Sequence, residues 1–242
     1  MKLLAFETST EACSVALWLD GEVRERFELA PRRHAELSLP WAEQLLAEAG
    51  VKRRELDAVA LGRGPGAFTG VRLAIALAQG VALALDVPAI PVSTLAVLAL
   101  RAQALAAGAG PQRVLSAIDA RMGEVYTAAF ELRDGEPFAL DREAVLAPDA
   151  AQLPGDGAPA DGWLGVGTGF AAADGALRQR LGARFAAIDA EALPHAADLA
   201  RLAAAAYARG ESIAPERIEP AYLRNNVALT IAEQAALRAR SS

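Results

Sequence analysis

The sequence predicts an α/β protein made of two tandem βββαβαβα-type units, the second one abridged. Three observations carry that prediction. The first 30 residues read as three strands, after which helix and strand patterns alternate. The stretch Ala107-Gly108-Ala109-Gly110-Pro111 breaks the pattern, and the opening pattern then returns. An acid closes the first strand of each half, Glu7 and Asp119, and an Asp-Gly pair follows each second strand, Asp20-Gly21 and Asp134-Gly135. The halves are therefore nearly in register, as in an internal duplication. Chance recurrence of strand, acid, turn and strand is the plainer alternative. The expected units are residues 1–109 and 110–242, with the tail packing back on the first.

Each element has its own signal. Leu3–Phe6 is apolar and Cys13–Leu19 is β-prone, and Asp20-Gly21 before Val23–Leu29 marks a hairpin. Ala35–Ala49 places Leu37, Trp41, Leu45 and Leu46 on one helical face, with Gly50 as the stop. Leu56–Leu61 reads as a strand, Gly62–Gly70 as a glycine-rich loop and Val71–Leu85 as a helix. Ala89–Val92 is a short strand, and Ser93 or Thr94 caps a helix reaching Ala107. Past the break come strands at Val114–Ile118 and Glu124–Leu132, then the Pro/Gly-rich loop Pro148–Gly162. A strand at Trp163–Val166 and helices at Ala171–Leu181 and Ala196–Ala208 complete the second half.

Composition narrows the function classes. Of 242 residues 53% are hydrophobic but only 5% aromatic, and 59 Ala with 33 Leu make much of the apolar fraction small. Such a chain is too apolar and too evenly charged for disorder. Cys13 stands alone, so no internal disulfide forms and a reducing, cytoplasmic setting is expected. Mean hydropathy is +0.21. The longest uncharged stretches, Leu73–Leu85 and Val87–Leu100, fall short of the roughly 20 apolar residues a membrane span needs. The start has no long apolar core of a signal peptide, so no membrane partner is expected. A net charge of −6 argues against autonomous nucleic-acid binding.

The strand-end acids are the first chemical candidates. A carboxylate at a strand end can hold a hydrated cation while nearby N–H and hydroxyl groups take phosphate oxygens. Duplicated units with such acids resemble the actin, heat-shock-70 and sugar-kinase superfamily of ribonuclease H-like units, which hold nucleotide between their halves. That resemblance makes Glu7, Thr8, Ser9, Asp119 and Gly167 the cleft candidates. The first loop, Glu7-Thr8-Ser9-Thr10, is rich in hydroxyls, whereas the second carries Arg121 and Met122. The plainer reading is that both acids cap tight turns. Gly62-Arg63-Gly64-Pro65-Gly66-Ala67-Phe68-Thr69-Gly70 precedes a helix but lacks the Gly-Lys-Ser/Thr ending of a phosphate loop, and Pro65 removes a donor. A close-packed turn or a loop shaped for a partner fits it better.

From Val71 to Leu85 the only polar side chains are Arg72 and Gln79. A helix apolar nearly all round needs cover on both sides. With Leu39 and Trp41 of the earlier helix, it suggests a helix–helix interface, with Gly70, Ala74, Ala78 and Val81 as further candidates. Burial by the chain's own second half is the alternative. His34 and His195 lie far apart, with no His-x-x-x-His, so no protein-built metal site and no catalytic residue is expected. Cys13 in a strand reads as an inert small hydrophobe, and no Gly-x-Ser-x-Gly occurs.

Four ordered motifs make a family resemblance specific. They are Phe6-Glu7-Thr8-Ser9-Thr10-Glu11-Ala12-Cys13, Gly62-Arg63-Gly64-Pro65-Gly66-Ala67-Phe68-Thr69-Gly70-Val71-Arg72, Ile118-Asp119-Ala120-Arg121-Met122-Gly123-Glu124-Val125-Tyr126 and Tyr222-Leu223-Arg224-Asn225-Asn226-Val227-Ala228. Together they resemble the TsaB (YeaZ) family over nearly the whole chain. The resemblance implies a non-catalytic partner in making N6-threonylcarbamoyladenosine at position 37 of tRNAs that read ANN codons. It implies a heterodimer with the catalytic paralogue TsaD, support of the ATPase TsaE, a homodimer when alone, and tRNA reached only through the complex. The paralogue carries a His-x-x-x-His pair where this chain has Val92-Ser93-Thr94-Leu95-Ala96-Val97-Leu98. No cofactor of its own is expected, with ATP or ADP at the cleft or at a subunit interface as the alternative. The runner-up function is an independent ATPase or small-molecule kinase using Glu7 and Asp119.

Overall fold

A computed structural model describes residues 1–106, 112–155 and 162–224. The expected break at 107–111, part of the Pro148–Gly162 loop and the end of the tail motif lie outside the described residues. The chain opens on a meander of β1 (Lys2–Glu7), β2 (Ala12–Leu19) and β3 (Glu22–Leu29). The β2–β3 turn uses Asp20 and Gly21, both at positive φ, as a tight hairpin requires. α1 (His34–Ala49) ends on Gly50 in the left-handed conformation, whose N–H reaches back to the helix carbonyls. β4 (Ala58–Gly62) pairs parallel to β1, α2 (Phe68–Leu85) follows, and β5 (Ala89–Val92) pairs parallel to β4. The first sheet has the order β3-β2-β1-β4-β5.

α3 (Thr94–Ala99) then leads to β6 (Gln112–Arg121), β7 (Glu124–Arg133), β8 (Glu136–Ala139) and β9 (Ala144–Leu146). β10 (Trp163–Val166), α4 (Ala172–Leu181), β11 (Phe185–Asp189) and α5 (Ala196–Ala208) complete the second half. Its sheet runs β11-β10-β6-β7-β8, with β9 paired to β7. Read from β8, that order repeats the first sheet strand for strand, meander then two parallel additions. The fold is two actin-like α/β units, as the duplicated pattern predicts.

Strand alternation divides the core. Leu4, Phe6, Val15 and Leu17 face α1 and α2, while Leu3, Ala5 and Ala16 face the opposite layer. That layer is common to both sheets: α3 and α5 pack with Ala58 and Ala60 of the first and with Val114, Ile118 and Phe130 of the second. A third cluster, Leu115, Trp163, Phe170 and Leu177, backs the second sheet. Each fully buried Leu or Phe contributes roughly 1.5–3 kcal/mol.

α5 belongs to the second half in sequence but lies across β1 and β2 of the first sheet. Its N-terminus is anchored there. The Glu25 carboxylate accepts from Ala197 N at 3.0 Å and Ser14 Oγ at 2.7 Å and meets His195 Nδ1 at 3.0 Å, while Ser14 Oγ accepts from Ala196 N at 2.9 Å. A carboxylate at the positive end of a helix is well placed. Phe27 stacks on the His195 ring at 4.0 Å.

Several boundaries differ from expectation. α2 starts at Phe68, before Val71. Ser93 rather than Thr94 caps α3, its Oγ accepting from Ala96 N at 3.2 Å, and the helix tightens into a 3-10 turn at Leu100–Leu105 short of Ala107. α4 opens with Ala173, Asp174 and Gly175 in left-handed conformations, so its regular part is shorter than Ala171–Leu181. β8, β9 and β11 are strands beyond the expected set; β8 carries Pro137 and β9 has only three residues, so neither presents a strand pattern in sequence.

Candidate functional site

The turn after β1 is walled in by the chain itself. Glu7 is 1% exposed, and its carboxylate accepts from Ser9 N at 2.8 Å and from the Thr94 hydroxyl at 3.3 Å. Burial pushes the Glu7 carboxyl above its ordinary range, against the opposing hydrogen bonds from Ser9, Thr94 and the Thr8 backbone. Thr8 Oγ1 donates to Gly70 O at 2.7 Å, Thr94 Oγ1 also reaches Ser9 Oγ at 3.1 Å, and Ala67 N donates to Ser9 O at 2.7 Å. The glycine-rich loop explains the closure. A Cβ at Gly62 would overlap the Glu7 carboxylate, one at Gly66 the Ser9 carbonyl, and one at Gly70 the Thr8 carbonyl. These glycines let one loop close over another. The hydroxyls and carboxylate that would meet a metal-bound phosphate are occupied by protein, so the residues of the first unit do not fit a nucleotide phosphate.

The second unit is different in detail. Asp119 lies within β6, not at its end, because the strand continues through a bulge to Arg121. Its carboxylate accepts from Arg121 N and Arg121 Nη1, both at 2.7 Å, and its own N–H donates to Thr168 Oγ1 at 3.2 Å. Gly167 follows β10 at φ +109, where a Cβ would overlap the Ala117 carbonyl, so it is a packing glycine. Among the described residues no hydrogen bond joins Glu7 to Asp119, and no group of three or more His, Cys, Asp and Glu could hold a metal.

What joins the halves here was missed from the sequence. Arg63, inside the glycine loop, forms a two-pronged pair with Glu143 at 3.0 and 3.1 Å, and Ser93 Oγ donates to the same carboxylate. A charged residue in an otherwise apolar loop was the available signal. Cys13 is buried among Ser38 and the α1 backbone, and burial pushes its thiol up, consistent with an inert role.

The candidate interface residues divide. Gly70, Ala74 and Ala78 are buried against the chain's own first sheet, so they are core positions and not contact positions. The correction has a simple cause: an apolar helix has no polar stripe to tell its inner from its outer side. Leu39 is 46% exposed, and Trp41 and Val81 are half-buried. The outer side of α2 instead carries Thr69, Leu73, Ala76, Gly80 and Leu83, spaced alternately by four and three, with Leu83 59% and the adjoining Phe68 69% exposed. Alternating steps of four and three are the spacing that helix–helix seams use. α2 is also long and apolar enough, by length and composition alone, to cross a membrane. Its inner side is seated on β1 and β4 as one layer of an α/β sandwich.

The fold and site define a class: a duplicated actin-like protein whose first-unit phosphate position is closed by its own loop. Comparison with known proteins narrows it. The family described as TsaD, tRNA N6-adenosine threonylcarbamoyltransferase, matches residues 28–232. The chain is 44% identical over 236 residues to the tRNA threonylcarbamoyladenosine biosynthesis protein TsaB of Escherichia coli, covering 94% of this chain and 96% of that one. It is 40% identical to the protein of that name from Haemophilus influenzae, covering 94% and 95%. The solved structure of YeaZ from Pseudomonas aeruginosa superposes with a TM-score of 0.82 at 48% identity, covering 92% of this chain and 99% of that one. The chain belongs to the TsaB (YeaZ) family.

Proposed function

We propose that this chain is a non-catalytic cytoplasmic subunit of the machinery that makes N6-threonylcarbamoyladenosine at position 37 of ANN-decoding tRNAs. It docks through the outer side of α2, with Leu39 of α1 beside it, onto the paralogue TsaD, and onto a second copy of itself when alone. TsaE joins the resulting complex, and tRNA is reached only through it. The observation that carries the docking face is Gly80. A mid-helix glycine costs about 1 kcal/mol relative to alanine, yet a Cβ there would meet nothing within 4 Å. Nothing in the packing of the described residues requires it, whereas a second helix crossing at close range would. The non-catalytic role is supported by the closed turn around Glu7 and by the absence of histidine from Val92-Ser93-Thr94-Leu95-Ala96-Val97-Leu98, the stretch matched to the paralogue's His-x-x-x-His pair.

Reconstitution tests the reading. Modification with TsaD and TsaE should require this chain, and Leu83→Glu, on the open seam, should abolish both self-association and modification while leaving thermal stability intact. Full modification without the chain, or a Leu83→Glu protein that still associates, overturns it.

A further inference from the structure

The segment after α5 touches four regions: the β5 edge, the α1–α2 layer, the glycine loop and the second unit. Ile213 exchanges two backbone hydrogen bonds of 2.9 Å with Ala89, closing the open edge of β5. Gln79 of α2 donates to Pro215 O at 3.0 Å, and Ile218 is buried in the α1–α2 layer. Ala221 N then donates to Arg63 O at 2.9 Å in the glycine loop. Tyr222 receives Arg72 Nη2 on its hydroxyl at 3.0 Å. Finally Arg224 crosses to the second unit, donating to Ala120 O at 3.3 Å and to the Glu124 carboxylate, with Nη1 3.7 Å from Met122 Sδ. One short strap therefore ties α2 to the 120–124 turn of the other half.

We infer that residues 213–224 act as a clasp coupling occupancy of the α2 face to the order of the Asp119–Glu124 turn, an inference that rests on the docking face proposed above. Arg72 is the only charged residue of α2, and its guanidinium lies 3.3 Å over the Phe68 ring and 5.3 Å from the Tyr222 ring. Both rings are exposed, at 69% and 64%, and both adjoin the first turn of the seam. A helix seated on α2 covers Phe68, takes the Arg72–Tyr222 contact out of water and so strengthens it. Tyr222 is then held, and Arg224, two residues on, is held against Ala120 and Glu124. The turn it steadies has cause to move: Arg121, Met122 and Gly123 are three successive left-handed residues, and Met122 is 86% exposed. Coupling is reciprocal, so a clasp tightened by docking must strengthen docking by the same factor.

Hydrogen exchange on the full chain, read by mass spectrometry under dilute monomeric and concentrated associated conditions, tests this. Association should slow exchange of 119–124 about fivefold or more. Arg224→Ala and the isosteric Glu124→Gln break the same ion pair from opposite ends, so each should weaken self-association by that factor and remove the protection. Both variants associating like wild type would overturn the clasp. So would a loss confined to Arg224→Ala, which would mark a direct contact with the partner. Leu83→Glu separates the two readings. If it blocks association while wild-type association leaves 119–124 unprotected, the clasp alone fails. If it associates normally, the docking face fails and the clasp with it.

Discussion

At the residue scale, two carboxylates have opposite fates. Glu7 sits among apolar and hydroxyl neighbours, and its carboxyl titrates above its unfolded value. The native state therefore holds its proton longer, and stability is greatest below the unfolded pKa and declines as pH rises toward the folded one. Glu7→Gln keeps an acceptor for Ser9 N and should remove that decline, so denaturant titrations at pH 5 and 8 should differ less for the variant than for wild type. Glu25 is also partly buried, which works to raise it, but His195, Ala197 N and Ser14 outweigh burial and hold it below its usual range. Its contribution is fully present above the unfolded pKa and lost as pH falls through the folded value. Glu25→Gln should cost about 1–3 kcal/mol at pH 7, and the difference should shrink in acid. Gly70→Ala drives a methyl into the Thr8 carbonyl, and overpacking against backbone should cost about 2 kcal/mol or more in thermal or chemical unfolding.

At the element scale, α2 separates what a sequence shows from what it hides. The two polar residues in Val71–Leu85 set the helix apart from a solvated one, which would expose a broad polar face, and its inner side is indeed covered by the first sheet. They could not say which alanines face inward, since Ala74, Ala76 and Ala78 are chemically identical and only the sheet distinguishes them. The experiment follows that division. Ala78→Glu places a charge in the core and should unfold the chain, by several kcal/mol, whereas Gly80→Ala should raise the stability of the isolated chain by about 0.5–1 kcal/mol. Gly80→Leu should fold yet fail to associate in sedimentation equilibrium. The strands of the first meander were legible because Asp20-Gly21 and alternation coincide there. Glu7 and Ser9 were legible as a special turn, but their closure was not, because it depends on Thr94, which lies 85 residues beyond Ser9.

At the scale of the whole molecule, the duplication was readable from two acids and two Asp-Gly turns, and the matching strand orders bear out the fold class. The exchange of parts between halves was not readable, because no local pattern in Ala196–Ala208 records which sheet it covers. Arg63 and Glu143 fasten the halves with side chains 31% and 16% exposed. Substituting both by alanine should give a coupling in a double-mutant cycle of about 1–3 kcal/mol, within the range for contacting charged pairs.

The placement of α5 has a consequence for how the chain is born. When residue 106 leaves the ribosome the first sheet is complete, yet the face bearing Leu3, Ala5, Ala16, Ala58 and Ala60 still awaits a helix that ends at Ala208. At bacterial synthesis rates of roughly 5–20 residues per second, that surface stays bare for about 5–20 s. The amino-terminal half of the nascent chain thus carries an apolar face that it cannot cover by itself. Its maturation is timed by translation of the other half, not by its own folding.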